Sequence, residues 1–208
     1  MTEYITIVSD CKSQKEVRKS IFIVNIKNVD SEVEAKKFIA EINKKHNDAR
    51  HNVPVYRIIK EQKIFESFSD NGEPKGTAGM PILDILRGRN LVNVCVVVTR
   101  YFGGTLLGTG GLMRAYSEAI INVLEQCEFI TKKIYDKYEI VCNYSDLDKV
   151  KYKLLQNNIK FDNLIYTDKI KLNIFLEVSD YLEQIFNILK DETNNNIEIN
   201  LTDKNIYK

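Results

Sequence analysis

All nine glycines of this 208-residue chain fall between Gly72 and Gly111, a window of forty residues. Glycine reaches positive φ without steric cost and lets other atoms approach the main chain, so this concentration marks where the fold must turn tightly or expose its backbone. The window reads SDNGEPKGTAGMP, then a helical stretch, an apolar strand, and TRYFGGTLLGTGGLMRAY. All three prolines and all seven arginines lie at or before Arg114, and residues 115–208 contain no Gly, Pro or Arg. Two compositions in one chain predict two domains, 1–131 and 132–208.

Hydrophobic residues make up 44% of the chain and charged residues 28%, enough to bury a core. The net charge of +1 excludes a polycationic binder, so any nucleic-acid contact must be local. Cys11, Cys95, Cys127 and Cys142 form no CxxC and read as free thiols in a reducing compartment. The polar N-terminus is no signal peptide, and no apolar run approaches the roughly 20 residues that span a bilayer. A cytoplasmic protein without a membrane role is expected.

Apolar and β-branched patterning predicts strands over Tyr4–Val8 and Ser20–Val29, with KSQKEVRKS between them as a basic, polar connection. Ser31 and Glu34 form a capping-box pattern that opens a helix running to about Asn47. Strands over Val53–Ile59 and Ile64–Ser69 precede the first glycine loop, and Pro81 and Gly88 bracket a helix over residues 80–87. The run VNVCVVVTRYF lacks polar alternation, as a strand covered on both faces does. A five-glycine loop then leads to an amphipathic helix opening at about Leu112.

Beyond Phe129 the pattern is strand (Ile134–Asn143), helix (Asp146–Asn157), strand (Ile159–Tyr166), strand (Lys171–Val178), helix (Asp180–Asp191) and strand (Ile197–Thr202), with Asn194–Asn196 as a turn. That βαββαβ order is ferredoxin-like. The fold class is therefore α+β: an N-terminal βαβ-type domain followed by a C-terminal ferredoxin-like one.

Free N–H groups at a helix start beside glycines suit an anion, and Lys75, Arg100 and Arg114 could supply charge. The loop lacks the Lys-Ser/Thr of a P-loop, and Met113 stands where a dinucleotide fingerprint needs glycine. A helix terminus contributes about 0.3–1 kcal/mol to an exposed anion, up to about 2 when partly buried, whereas a 1 mM dissociation constant needs about 4.1 kcal/mol. A polymeric phosphate backbone touched at many points therefore suits this surface better than a small ligand. The plainer alternative is that the glycines only form tight turns and that Arg114 pairs with Glu118. Asp70 and Glu73 could bind a cation or act as acid and base, or could hold the first loop by local hydrogen bonds. His46 and His51 do not match a zinc spacing, and no nucleophile set stands out. No catalytic residue, metal or cofactor is expected.

The stretches KSIFI (19–23), DARHN (48–52), FSDNGEPKGTAGMPIL (68–83) and VVVTRYFGGTLLGTGGLMRAYSEA (96–119) closely resemble the YigZ/IMPACT family, in its bacterial two-domain branch. The resemblance implies an N-terminal domain similar to domain IV of elongation factor G and a C-terminal domain similar to its domain V, relatives that both work on the ribosome. Eukaryotic members regulate translation initiation through a kinase pathway with help from an RWD domain. About twenty residues precede the first motif here, so that domain is expected to be absent and the kinase role is not carried over. The family signature falls on Asp70, Gly72, Glu73, Gly76, Thr77, Gly79, Pro81, Arg100, Tyr101, Gly103, Gly104, Gly108, Gly110, Gly111 and Arg114, with Arg50 and His51 from the earlier motif.

The expected function is non-enzymatic binding of RNA or the ribosome, affecting translation, through Arg50, His51, Lys75, Gly76, Thr77, Arg100, Tyr101, Gly103, Gly104, Gly108, Gly110, Gly111 and Arg114. On this view Arg100→Ala weakens binding without lowering the melting temperature. Two alternatives are a protein or enzyme using the glycine loop for a phosphate-containing small ligand, and an adaptor whose C-terminal domain takes a protein partner.

Overall fold

The computed structural model describes residues 3–60, 63–177 and 181–207, and they divide into two compact units, Glu3–Thr131 and from Lys132 onward. In the first, elements follow as β1 (Glu3–Ile7), β2 (Cys11–Val17), β3 (Ser20–Asn28), α1 (Glu32–Lys45), β4 (His51–Lys60), β5 (Lys63–Phe68), α2 (Gly79–Gly88), β6 (Val94–Tyr101) and α3 (Gly108–Leu124). The sheet order is β2-β3-β6-β4-β5, so the glycine-free apolar run is the central strand. Both β3 and β4 run antiparallel to β6 and hence parallel to each other, with α1 as the crossover of a split βαβ unit.

The alternating geometry of β6 explains its unbroken apolar sequence. Cys95 and Val97 pack with Ala35, Phe38 and Ile42 of α1 on one face. Val94, Val96 and Val98 pack on the other with Ile82, Leu83 and Leu86 of α2 and with Leu112, Ala115, Tyr116 and Ala119 of α3. Each fully buried aliphatic side chain of this kind contributes about 1.5–3 kcal/mol. At the start of α1 the Ser31 hydroxyl accepts from Glu34 N–H at 3.2 Å, while the Glu34 carboxylate accepts from Asp30 N–H at 2.9 Å, one residue earlier than in an ideal capping box.

Two expectations are corrected. The polar stretch KSQKEVRKS is not a connection: most of it is β2, an edge strand hydrogen-bonded to β3 in register from Cys11↔Ile26 to Val17↔Ser20. Lysines and glutamates on an edge strand keep it from pairing with other chains, so polarity here signals position, not loop. Arg18 and Lys19, at φ 47° and 67°, form the two-residue turn that matches strand twist. The second correction concerns α3, which opens at Gly108 instead of Leu112. Gly108, Gly110 and Gly111 thus belong to its first turn, leaving Gly103 and Gly104 in the loop.

The second unit is entered through β7 (Phe129–Cys142) and continues with α4 (Leu147–Gln156), β8 (Phe161–Tyr166), β9 (Ile170–Glu177), α5 (Tyr181–Glu192) and β10 (Ile197–Tyr207). Strands β10, β7, β9 and β8 lie side by side in that order, each antiparallel to its neighbour, as the ferredoxin-like arrangement requires. Its core joins Ile140, Leu172 and Ile174 of the sheet to Val150 and Leu154 of α4 and to Ile185 and Leu189 of α5. Val178 and Asp180, which the pattern assigned to a strand end and a helix start, lie outside the described residues. Among the described residues no helix is long and apolar enough to cross a membrane.

Candidate functional site

Strand alternation sends the two polar residues at the end of β6 to opposite faces. Tyr101 turns to the α1 side, where its hydroxyl donates to Asp48 Oδ1 at 2.8 Å and lies 3.0 Å from His46 Nδ1. Arg100 turns to the side of α3, buried at 5% exposure.

The first glycine loop meets Arg100 there. Asp70 gathers the loop: its carboxylate accepts from Gly76 N–H at 2.8 Å, from Ala78 N–H at 3.1 Å and from Gly79 N–H at 2.8 Å. It thereby caps α2, whose own cap residue Ala78 makes no side-chain bond. The turn positions Asn71 and Gly72 have φ 46° and 81°. Asn71 docks the loop on β4, its carbonyl 2.7 Å from His51 Nδ1 and its Oδ1 accepting from Asn52 N–H at 2.8 Å. Thr77 supports the turn by donating from its hydroxyl to the Pro74 carbonyl at 2.7 Å. Of the readings open for the two acids, local support of the turn describes Asp70.

Glu73 points inward. Arg100 Nη1 donates to both of its oxygens, at 2.8 and 3.1 Å, and the Tyr116 hydroxyl donates to Oε1 at 2.8 Å. Burial, and then the Glu73 charge, raise the Tyr116 hydroxyl far above the ordinary phenol range, so it stays a donor. Arg100 Nη2 reaches Ser20 Oγ at 3.4 Å, and the guanidinium lies 5.6 Å from the Phe22 ring centre and 5.8 Å from that of Phe102. Arg100 is therefore an internal strut joining β6, the first loop, α3 and β3. That differs from the free cation expected of it.

Above this strut lies a cleft of about 390 Å³. Arg50, His51, Glu73 and Arg100 supply its polar lining, Phe102, Leu106, Leu107 and Leu112 its apolar lining, and Gly108 and Thr109 bring the first turn of α3 to it. Next to Phe102, Gly103 lets the chain pass close to the β2–β3 turn, because a β-carbon there would collide with the Lys19 carbonyl and Ser20 N. Its N–H donates to Ser20 Oγ at 3.2 Å.

The cleft brings together Arg50, His51, Arg100 and Gly108 from the expected set. Gly76 and Thr77 belong to the supporting turn, and Tyr101 sits on the opposite face of the sheet. Lys75, Gly104, Gly110 and Arg114 are not among the lining residues; Lys75 and Arg114 are exposed. Arg114 does not pair with Glu118, whose carboxylate instead accepts from Lys15 Nζ at 2.8 Å. Sequence reasoning missed Ser20, Asn52, Asn71, Phe102 and Tyr116. All five lie inside the quoted motifs, and Tyr116, on the apolar stripe of α3, reads only as core. Among the described residues no group of three His, Cys, Asp or Glu side chains is placed to hold a metal ion.

Fold and site together define a two-domain α+β protein with a glycine-bounded cleft at one end of its N-terminal sheet. Residues 18–124 match the Impact N-terminal domain, and residues 140–183 match a domain of unknown function, DUF1949. The IMPACT family member YvyE of Bacillus subtilis is 34% identical over 174 residues, covering 84% of this chain and 80% of that one. YigZ of Escherichia coli is 34% identical over 170 residues, covering 81% and 83%. A crystal structure described as that of a hypothetical protein superposes with a TM-score of 0.65 at 29% identity, over 98% of both chains. The chain belongs to the IMPACT family, with YigZ-type relatives matching it across most of its length.

Proposed function

We propose that the protein is a cytoplasmic, non-enzymatic RNA- or ribosome-binding protein that affects translation through the glycine-rich end of its N-terminal unit. The observation that carries this reading is the make-up of that end. Arg18, Lys19, Arg50 and Lys75 are exposed and make no ion pair among the described residues, while Phe102 and Leu106 are 41% and 84% exposed. Free cations beside exposed apolar and aromatic side chains are what a single-stranded nucleic acid needs, phosphates meeting charge and bases meeting rings. The family resemblance to translation-factor domains supports the process. A protein partner on the C-terminal unit is compatible with this reading, since Tyr144, Ile165 and Tyr166 are exposed there.

Salt dependence tests it. If about three phosphates are neutralised, log K for a single strand falls with log salt at a slope of about −2. Binding that ignores ionic strength contradicts the proposal.

A second reading draws on the cleft itself, whose volume of about 390 Å³ lies within the range of small-molecule sites, roughly 300–1,000 Å³. A phosphate-containing small ligand at a hundred times its dissociation constant would add about 2.7 kcal/mol of stability, visible in a thermal-shift screen.

A further inference from the structure

We infer that the cleft holds one nucleotide of a single-stranded RNA, its phosphate on the first turn of α3, its base against Phe102 and its ribose against His51; this rests on the RNA-binding reading above. Helix α3 is 17 residues long, opens at Gly108 behind the cap residue Leu107, which makes no side-chain cap bond, and has no acidic residue in its first turn. Its leading N–H groups have no partner inside the helix, and they carry the positive end of the dipole. Beyond the adjoining backbone of their own helix, Gly108 and Gly110 have no heavy atom within 4 Å of the place a β-carbon would take, so a phosphate can approach the backbone.

The independent observation is His51, which lines the cleft although only 8% exposed. Its Nδ1 lies 2.7 Å from the Asn71 carbonyl, an acceptor, so the proton sits on Nδ1. Nε2, the opposite ring nitrogen, makes no hydrogen bond, and Glu73 Oε1 lies 3.9 Å from it. The tautomer so fixed turns its other ring nitrogen into a bare acceptor. A ribose 2′-hydroxyl donates to such a group, and deoxyribose has no equivalent. The Glu73 charge beneath is matched by Arg100, so the floor does not repel a phosphate outright. The exposed Phe102 ring offers the stacking face, and Arg50, an exposed residue of the cleft lining, is free to pair with the neighbouring phosphate.

The test is fluorescence anisotropy of the full chain with a labelled ten-nucleotide oligouridylate, its deoxyuridylate counterpart, and uridine monophosphate as competitor. Wild type is expected to prefer the ribo-oligomer, and His51→Ala to shrink that preference. Phe102→Ala should weaken the ribo-oligomer about tenfold, equivalent to about 1.4 kcal/mol. Thr109→Glu should weaken it comparably while leaving the melting temperature equal or higher, because an acid in a helix's first turn stabilises the helix and repels phosphate. A merely structural role for Thr109 would not separate those two readouts. Ribo-oligomer binding unaffected by both Phe102→Ala and Thr109→Glu would overturn the inference and leave the broader RNA reading standing. The monophosphate binding as tightly as the oligomer would overturn it in favour of a free nucleotide. Wild type binding neither the oligomer nor ribosomes would remove the inference and the broader reading together.

Discussion

Arg100 and Glu73, 27 residues apart in sequence, form a buried ion pair in which one guanidinium nitrogen holds both carboxylate oxygens, with side-chain exposures of 7% and 2%. Removing one partner strands the other charge away from water. Arg100→Ala is therefore expected to cost about 3–5 kcal/mol of unfolding free energy, measured by urea denaturation. This revises the expectation that the substitution spares the melting temperature. A loss under about 1 kcal/mol would mean that the pair behaves as a surface bridge.

The loop glycine Gly103 and the helical glycine Gly110 should respond oppositely to alanine. At Gly103 a methyl meets the Lys19 carbonyl and Ser20 N, both main-chain atoms held in the β2–β3 hairpin, so Gly103→Ala should destabilise by about 1–3 kcal/mol or more. Gly110 is helical with open space around it, and Gly110→Ala should stabilise by about 0.4–1 kcal/mol. Paired thermal melts decide both.

Asp70 holds three backbone N–H groups at the entry to α2, and Asp70→Ala should cost about 0.5–2 kcal/mol. Hydrogen exchange should show the loss concentrated at Gly76–Gly79, since the other loop anchor, His51 to Asn71, is separate.

His46 gives the stability a pH dependence of definite sign. Its imidazole is held below its ordinary value first by burial, then by the positive charges of Lys12 and Lys45. Tyr101 donates its hydroxyl proton to Asp48, so its oxygen accepts from His46 Nδ1–H, and an added proton must go to the buried, unpartnered Nε2. The unfolded chain thus binds this proton more readily than the folded one. The contribution is fully present above about pH 6.5, the ordinary imidazole value, and is lost as pH falls toward the lowered folded value. Urea titrations at pH 7.5 and 5.5 should show a drop that is smaller in His46→Gln.

Much of this was legible in the sequence because local signals and burial agreed. Val94 to Val98 face apolar partners on both sides, so an unbroken apolar run could only be an inner strand. The βαββαβ order of the second unit followed from strand and helix periods alone. Strand β2 was hidden because Lys12, Gln14 and Glu16 are exposed, and an edge strand with that pattern looks like a loop. The start of α3 was hidden because Gly108, Gly110 and Gly111 oppose helix propensity and only the tertiary setting overrides them. In the site, Arg100 and Glu73 were both visible as charged residues near glycines. Their pairing was not, because it depends on the turn that Asp70 and Asn71 build, and periodicity does not record contacts across 27 residues.

The claim that the glycine-rich end of the N-terminal unit is a ribosome- or RNA-binding surface is tested most directly by co-sedimentation of the full chain with ribosomes at low and high salt, wild type beside Arg50→Glu. Arg50 is exposed and makes no ion pair among the described residues, so the substitution should leave the melting temperature in place. The account predicts that wild type pellets with ribosomes at low salt, is released at high salt, and that Arg50→Glu stays in the supernatant at both. Wild type remaining in the supernatant at low salt, or pelleting that neither salt nor Arg50→Glu disturbs, would contradict it.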